Sequence, residues 1–375
     1  MKPLVLLQSR SSSSRLPFKV LMLIKNMPSI IYLYKRIFSK KYLTYVLISN
    51  HKDDEFLSYI LKKNKILFFR GDLNNVRKRF LDFTKKLKNN RIIIRVTGDN
   101  LLVDSKLINY CIKIFKNKKK LYMCLDNKKD NLPYGISLEI FRLKLLRQKG
   151  IKSSKSDEHV TYDFKKKSNN FNLKKFFIKK MSSLNCTMDY LEDYIFLKNH
   201  LNKYSIKTQW NLLCKNLKKY KIKKKNKLFL IEKKTYQLSN AEINKIIKLK
   251  RIFWNYNTLS QKIYFNNSYK KNDIHFMMYN KKKLIGYICL KLCNHKNIKY
   301  GILDSLIVSS LLRGFGISNI LMSKSLNKII LLKRKFFLYA NKNSLTLYRN
   351  YGWKISAKKN YLPTRPKRVL MYFPI

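Results

Sequence analysis

The stretch from Leu4 to Leu21 reads L-V-L-L-Q-S-R-S-S-S-S-R-L-P-F-K-V-L, and its residue types suit the holding of a polyphosphate. Serine hydroxyls and loop amides donate to phosphate oxygens, while Arg10, Arg15 and Lys19 offset their charge. The same stretch also reads as a flexible basic loop, because Ser and Lys are common throughout this chain. Farther on, Asp99 follows R-I-I-I-R-V-T-G directly. A carboxylate at the end of a strand, beside such a loop, can hold a Mg²⁺ that bridges phosphate oxygens. A second group of residues lies near the other end. Leu312-Arg313-Gly314-Phe315-Gly316-Ile317-Ser318 stands between an apolar run and a helical pattern. Glycines there let backbone amides approach a pyrophosphate at the positive end of a helix.

The elements that must position these residues alternate in type. Leu4 to Leu7, Tyr42 to Ser49, Ile66 to Phe69 and Arg91 to Val96 read as buried strands. Pro28 to Lys40, a segment opened by Asp53-Asp54-Glu55, Asn75 to Lys88 and Ser105 to Lys116 read as helices. The three acids suit a helix N-terminus, and Asp104 reads as the N-cap of the fourth helix. Such alternation predicts a mostly parallel α/β sheet with helices on both faces. Ligands in such sheets sit at the carboxyl ends of strands, where the opening loop, Arg70-Gly71 and Asp99 all fall.

The opening stretch resembles that of the cytidylyltransferases that activate acidic sugars, including the SpsF-like spore-coat polysaccharide branch and the acylneuraminate and KDO synthetases. Gln8, Arg10, Ser13, Arg15, Leu16, Pro17 and Lys19 match their opening Q-A-R-x-G-S-x-R-L-P-G-K. Ser9, Ser12 and Phe18 stand where that pattern has Ala, Gly and Gly. The likeness recurs in order. F-R-G-D-L-N-N-V-R-K-R-F, R-V-T-G-D-N-L-L-V-D, L-P-Y-G-I-S-L-E-I-F, Asp157-Glu158-His159-Val160-Thr161 and Thr187-Met188-Asp189-Tyr190-Leu191-Glu192-Asp193 each resemble a segment of that family. The resemblance implies a Rossmann-like, GT-A α/β/α sandwich of the nucleotide-diphospho-sugar transferase kind, using CTP, Mg²⁺ and an acidic sugar. Arg10 and Lys19 would be catalytic, and Gln8, Ser9, Ser12, Ser13, Arg15, Arg70 and Gly71 would hold the nucleotide. Asp99 and Asp189 would be the metal carboxylates. Asp189 also reads as a helix cap answered by Glu192. Gly135, Glu139 and His159 would face the sugar, although Glu139 also reads as solvated and His159 as structural. Ser137 replaces an acid usual there, which points to a different sugar specificity.

The organisation changes after Lys221 to Lys227, a charge run read as a linker between residues 1–220 and 228–375. Leu228 to Glu232 reads as a strand and Asn240 to Phe253 as an amphipathic helix. Phe276 to Tyr279 and Leu284 to Leu292 read as a hairpin, and Ile302 to Val308 as a strand before the glycine loop. That loop resembles R/Q-x-x-G-x-G/A, the pyrophosphate motif of the GNAT superfamily of N-acetyltransferases. Asn343-Ser344-Leu345-Thr346-Leu347-Tyr348-Arg349-Asn350-Tyr351-Gly352-Trp353 resembles a later motif of theirs. The resemblance implies an α+β domain with a mixed sheet that binds acetyl-CoA through Arg313, Gly314, Phe315, Gly316, Ile317, Ser318 and Asn343. Tyr348 would protonate the leaving thiolate, as a phenol can at neutral pH. It also reads as a core ring beside Tyr351 and Trp353. Asp304 is the candidate base.

The totals bound the rest. At 375 residues the chain is long enough for two cores. It has no apolar run long enough to cross a membrane. Its first apolar run breaks at Gln8, too soon for a signal peptide. The six cysteines lack any C-x-x-C pair, which points to free thiols and a reducing cytoplasm. A net charge of +63 would suit nucleic acid. However, Lys far outnumbers Arg and is spread evenly, so nucleic-acid binding is disfavoured as the main role. Such a field favours small anions: CTP, sugar acids and coenzyme A. The expectation is therefore a bifunctional enzyme of nucleotide-sugar and polysaccharide biosynthesis, with a homodimer left open. The alternatives are a working acetyltransferase with a degenerate nucleotide domain, and a basic nucleic-acid-associated protein.

Overall fold

The structure is a computed structural model that describes residues 1–148, 160–165, 171, 173, 180–218, 226–254, 256–356 and 368–374. His159 and most of the expected linker lie outside these residues. The chain divides into two compact units, residues 1–13 with 19–225 and residues 226–375 with 14–18.

In the first unit the strand Leu4–Gln8 lies at the centre of a six-stranded sheet. Its residues Leu4 to Leu7 are buried, as the continuous apolar run of a two-face-covered parallel strand requires. It pairs in parallel with Leu43–Ser49 on one side and Ile92–Thr97 on the other. Phe68–Gly71 lies beyond Leu43–Ser49, also parallel. Glu139–Arg142 then runs antiparallel to both Ile92–Thr97 and Tyr122–Cys124. The chain thus builds outward from Leu4–Gln8 and returns to its other side. The order reverses between Leu4–Gln8 and Ile92–Thr97, whose carboxyl ends meet as Gln8 beside Thr97. On one face, Leu4, Leu6, Leu47, Ile93 and Phe141 pack with Val76 and Phe80 of the helix Val76–Thr84.

Of the two expected caps, one holds and one is corrected. Asp104 caps Ser105–Asn117 as expected, with the Leu107 amide donating at 2.9 Å; its second oxygen accepts from the Trp210 amide at 2.8 Å. The Asp189 cap reading is corrected. The helix Leu191–Asn202 is closed by Asp193, whose Oδ2 accepts from the amides of Asp189 at 3.1 Å and Tyr190 at 2.8 Å. The Asp189 side chain pairs with Lys19.

The second unit is a seven-stranded mixed sheet in the order Lys354–Ile355, Val369–Phe373, Lys335–Ala340, Ile298–Val308, Lys283–His295, Ile274–Asn280, Leu228–Lys234. The expected hairpin is present and longer at both ends. Ser239 caps the helix Asn240–Arg251, with Glu242 answering in a capping box. Ile298–Val308 and Lys335–Ala340 form the parallel pair, and they pair only from Tyr300 to Ile302. Gly301 permits that approach, since a Cβ there would lie 2.2 Å from the Phe336 ring. Leu303 to Val308 run on without a partner on that side among the described residues.

Gly135 has a structural task that the sugar-facing expectation did not include. Its φ is +106°, and an added Cβ would lie 2.4 Å from the Thr187 amide nitrogen. The Tyr134 carbonyl accepts from the Cys186 amide at 2.6 Å, so this close approach fixes the segment that carries Asp189. Gly135→Ala should therefore destabilise the first unit by about 1–3 kcal/mol, the usual scale of a strained backbone position. A thermal unfolding scan checks this; an unchanged Tm would show that the segment can yield.

Candidate active sites

At the reversal point of the first sheet, one ammonium is held by two carboxylates. Lys19 Nζ lies 2.8 Å from Asp99 Oδ2 and 3.0 Å from Asp189 Oδ1. Lys19 opens a short 3-10 turn, Lys19–Leu21, after the serine loop. Asp99 follows the end of Ile92–Thr97, and Thr97 Oγ1 donates to its Oδ1 at 2.7 Å. The Met188 amide donates to the Asp99 carbonyl at 3.2 Å, which brings Asp189 alongside. Burial alone would raise the Asp99 carboxyl, but Lys19 and the Thr97 hydroxyl outweigh it and hold it below its ordinary range. Burial would lower the Lys19 ammonium, but the two carboxylates outweigh that and raise it. Because Asp99 is depressed in the folded state, its contribution to stability is present above the ordinary carboxylate range and fades as pH falls below it.

This donor set suits Mg²⁺. Two hard carboxylate oxygens converge on one cation position, and Mg²⁺ is commonly held by one or two carboxylates with phosphate oxygens completing its shell. Among the described residues no group of three His, Cys, Asp or Glu side chains could hold a metal, so substrate oxygens would have to supply the rest. Lys19 would then turn from the carboxylates toward phosphate.

The opening loop is anchored by a residue that sequence reading had placed at a helix start. Asp54 is buried, and its oxygens accept from the amides of Ser11 at 2.7 Å and Ser49 at 2.9 Å and from the Ser49 hydroxyl at 2.5 Å. The Ser9 amide donates to the Leu47 carbonyl at 2.9 Å. The buried Ser9 and Ser11 hydroxyls have no partner among the described residues. Arg10, Ser12 and Ser13 are half-buried and Arg15 is exposed. Phe18, where the resembled pattern has glycine, has a φ of 54°. That left-handed conformation costs about 1–2 kcal/mol for a residue with a Cβ, which explains why glycine suits the position.

Beside this loop lies a buried ion pair that sequence reading did not find. Arg95 Nη1 donates to Glu139 Oε2 at 2.7 Å, and its Nε donates to Gln8 Oε1 at 2.8 Å. Gln8 and Glu139, expected to meet nucleotide and sugar, are thus joined through one guanidinium. The arginine inside the apolar run of R-I-I-I-R-V is the available signal, since it places a charge on a largely buried strand. Arg70, expected at the nucleotide, pairs with Glu55 at 2.7 Å. Gly71 makes room for Arg79, whose Cγ would lie 2.6 Å from an added Cβ.

In the second unit the glycine loop is exposed at Arg313, Gly314 and Phe315, and the Arg313 guanidinium stacks on the Phe253 ring at 4.2 Å. Gly314 and Gly316 take φ values of +79° and +85°. Ile317 and Ser318 then open the helix Ile317–Leu332, whose start has no side-chain cap. Its first-turn amides are the kind of donors a pyrophosphate uses. Asn343 is exposed, and the cap nearby comes from Asn341, whose Oδ1 accepts from the Ser344 amide at 2.9 Å. Tyr348 is nearly buried and meets Trp353 edge-on at 6.3 Å. Burial and Asp304 push its hydroxyl up to about 12 against the pull of Arg368. Asp304 accepts from the Tyr269 hydroxyl at 3.0 Å and the Ser305 hydroxyl at 2.9 Å. Burial would raise it, but Lys291 and Lys250 hold it below its ordinary range, so by itself it is a weaker base than an ordinary carboxylate.

Arg95→Met should cost about 3–5 kcal/mol, because it strands the Glu139 carboxylate in a buried site. Arg95→Met with Glu139→Gln should recover part of that loss. Urea titration of both variants checks this; equal stability of the single variant and wild type would show that solvent reaches Glu139.

Residues 4–263 match the cytidylyltransferase family, and residues 242–361 match the acetyltransferase (GNAT) domain. The first match runs past residue 225, where the first unit ends. An uncharacterized protein of Methanocaldococcus jannaschii is 26% identical over 214 residues, covering 54% of this chain and 85% of its own. The structure of a cytidylyltransferase from Leptospira borgpetersenii is 26% identical, covers 57% of this chain and 93% of its own, and superposes with a TM-score of 0.52. An acyl-CoA N-acyltransferase from Pseudomonas aeruginosa has 18% identity over 39% of this chain and 99% of its own, with a TM-score of 0.33. With residues 4–263 of its 375 in the first match, the chain belongs to the cytidylyltransferase family, and its C-terminal part is a GNAT acetyltransferase domain.

Proposed function

We propose that the first unit transfers CMP from CTP to a hydroxyl of an acidic, sialic-acid-like sugar. The observation that carries this reading is the convergence of Asp99 and Asp189 on Lys19 at the sheet's reversal point. The sugar hydroxyl oxygen attacks the α-phosphorus and gives up its proton to solvent, the bond from that phosphorus to the bridging oxygen breaks, and pyrophosphate leaves. Lys19, freed from its carboxylates, reaches the phosphates together with Arg10 and stabilises the charge that develops on them. Mg²⁺ bound by Asp99 and Asp189 would supply further charge neutralisation. Arg95 orients Gln8 and Glu139 beside the reacting groups. The second unit acetylates an amine from acetyl-CoA, with the pyrophosphate at residues 313–318 and Tyr348 giving a proton to the sulfur. An amino-sugar acceptor would place both activities in polysaccharide biosynthesis. Cysteines left as free thiols fit a reducing cytoplasm.

Asp99→Asn and Tyr348→Phe test the two halves on the same preparations. Asp99→Asn should remove most Mg²⁺-dependent pyrophosphate release and leave thiol release unchanged. Tyr348→Phe keeps the ring against Trp353 and should slow thiol release by roughly 10²-fold, the usual loss for a missing proton donor. Undiminished pyrophosphate release in the first variant, or undiminished thiol release in the second, would remove that residue's assignment.

A further inference from the structure

Lys250 belongs to the helix Asn240–Arg251, and it points inward with only 2% of its surface exposed. Its Nζ donates to the Tyr269 hydroxyl at 2.5 Å. The rings of Trp254, Tyr264, Tyr269 and Tyr287 lie 4.7–5.9 Å from that nitrogen. Tyr269 in turn donates to Asp304 Oδ2 at 3.0 Å. Lys250, Tyr269 and Asp304 thus form a hydrogen-bonded row from the helix to the strand Ile298–Val308. The Lys250 end is closed, while the Asp304 side chain is 22% exposed. Asp304 lies just past Ile302, where that strand loses its parallel partner.

The groups facing Lys250 come from every element packed on its helix. Tyr264 comes from the helix Thr258–Ser268, and Tyr287, Cys289 and Lys291 from Lys283–His295. Asp304 comes from Ile298–Val308. Burial, with a smaller push from Lys291, lowers the Lys250 amine to about 8 against the pull of Asp304 and Cys289. The other buried base, His275, stays neutral. Burial and Lys250 push it down to about 3, and its ring nitrogens are engaged by the Tyr287 hydroxyl at 2.7 Å and the Thr235 hydroxyl at 2.9 Å.

We infer that Lys250 is the proton sink for acetyl transfer in the second unit, reached from Asp304 through the Tyr269 hydroxyl. This rests on the acetyl-transfer reading given above. The acceptor arrives as an ammonium and gives one proton to an Asp304 oxygen. That proton passes to the Tyr269 oxygen as the Tyr269 proton moves to the neutral Lys250 amine. Asp304 and Tyr269 regain their starting forms, and Lys250 carries the charge. The freed amine forms its bond to the thioester carbonyl carbon and the carbon–sulfur bond breaks. The nitrogen's second proton replaces the one that Tyr348 gives to the sulfur. Lys250 then returns its proton along the same row, through Tyr269 to the partly exposed Asp304 and so to solvent, before the next cycle.

The full chain, with acetyl-CoA and putrescine as the probe amine, a primary alkylamine that stays an ammonium well above pH 8, tests this by thiol release between pH 6 and 9. Wild-type kcat/KM should rise as pH passes about 8, where Lys250 becomes neutral. Lys250→Met and Tyr269→Phe should each lose that rise and fall roughly 10²-fold near pH 7.5, with acetyl-CoA binding kept. Tyr269→Phe removes only a hydroxyl, so it serves if Lys250→Met fails to fold. A rise that survives in either variant overturns the relay. An independent readout is the ¹⁵N titration of lysine Nζ groups in the full chain. The resonance absent from Lys250→Met should titrate near 8, and a midpoint at the ordinary lysine value overturns the relay whatever the acceptor. A midpoint near 8 with no wild-type thiol release would instead overturn the acetyl-transfer reading.

Discussion

The first unit depends on one ammonium shared by two carboxylates. Lys19 is 80 residues from Asp99 and 170 from Asp189, so the contact depends on the sheet and on the Asp189 segment packed against Gly135 to bring the three together. Each charge offsets the desolvation of the others. Without Lys19, two carboxylates would face one another in a buried site. Without either acid, a buried ammonium would lose a partner. The chain has 83 basic residues and only 20 acidic ones. Several of those few acids hold particular groups in place: Asp54 the serine loop, Asp104 a helix start and a distant amide, Glu139 a guanidinium. The general positive charge attracts anions, and the few buried acids decide where cations point.

The second unit places its polar groups by a comparable rule. Ligands of α/β sheets sit where strand order or pairing breaks, because backbone and side chains there face something other than a neighbouring strand. In the first unit the proposed site lies at the reversal between Leu4–Gln8 and Ile92–Thr97. In the second it lies past the end of the three-residue pairing between Ile298–Val308 and Lys335–Ala340. Asp304 and the glycine loop both follow that point in the chain.

The sequence made legible whatever rests on local pattern. The buried parallel strands announced themselves as apolar runs, and Asp104 announced its helix. The two family resemblances agree with the families that residues 4–263 and 242–361 match. The strands Glu139–Arg142, Lys335–Ala340 and Val369–Phe373 went unread, because their antiparallel or edge pairing is fixed by distant partners. Asp54 looked like a helix acid until the fold brought Ser11 and Ser49 to it. Lys250 hid among neighbouring lysines, of which Lys245 and Lys248 are exposed. Its position four residues after the buried Ile246 placed it on the apolar stripe, a signal easily lost in so basic a chain.

The central claim is that Asp99, Asp189 and Lys19 form a cytidine triphosphate site. Equilibrium binding of CTP, UTP, ATP and GTP to the full chain, with and without Mg²⁺, tests it most directly. The account predicts that CTP binds more tightly than the other three and that Mg²⁺ strengthens its binding. Equal binding of all four nucleotides, or CTP binding indifferent to Mg²⁺, would contradict it.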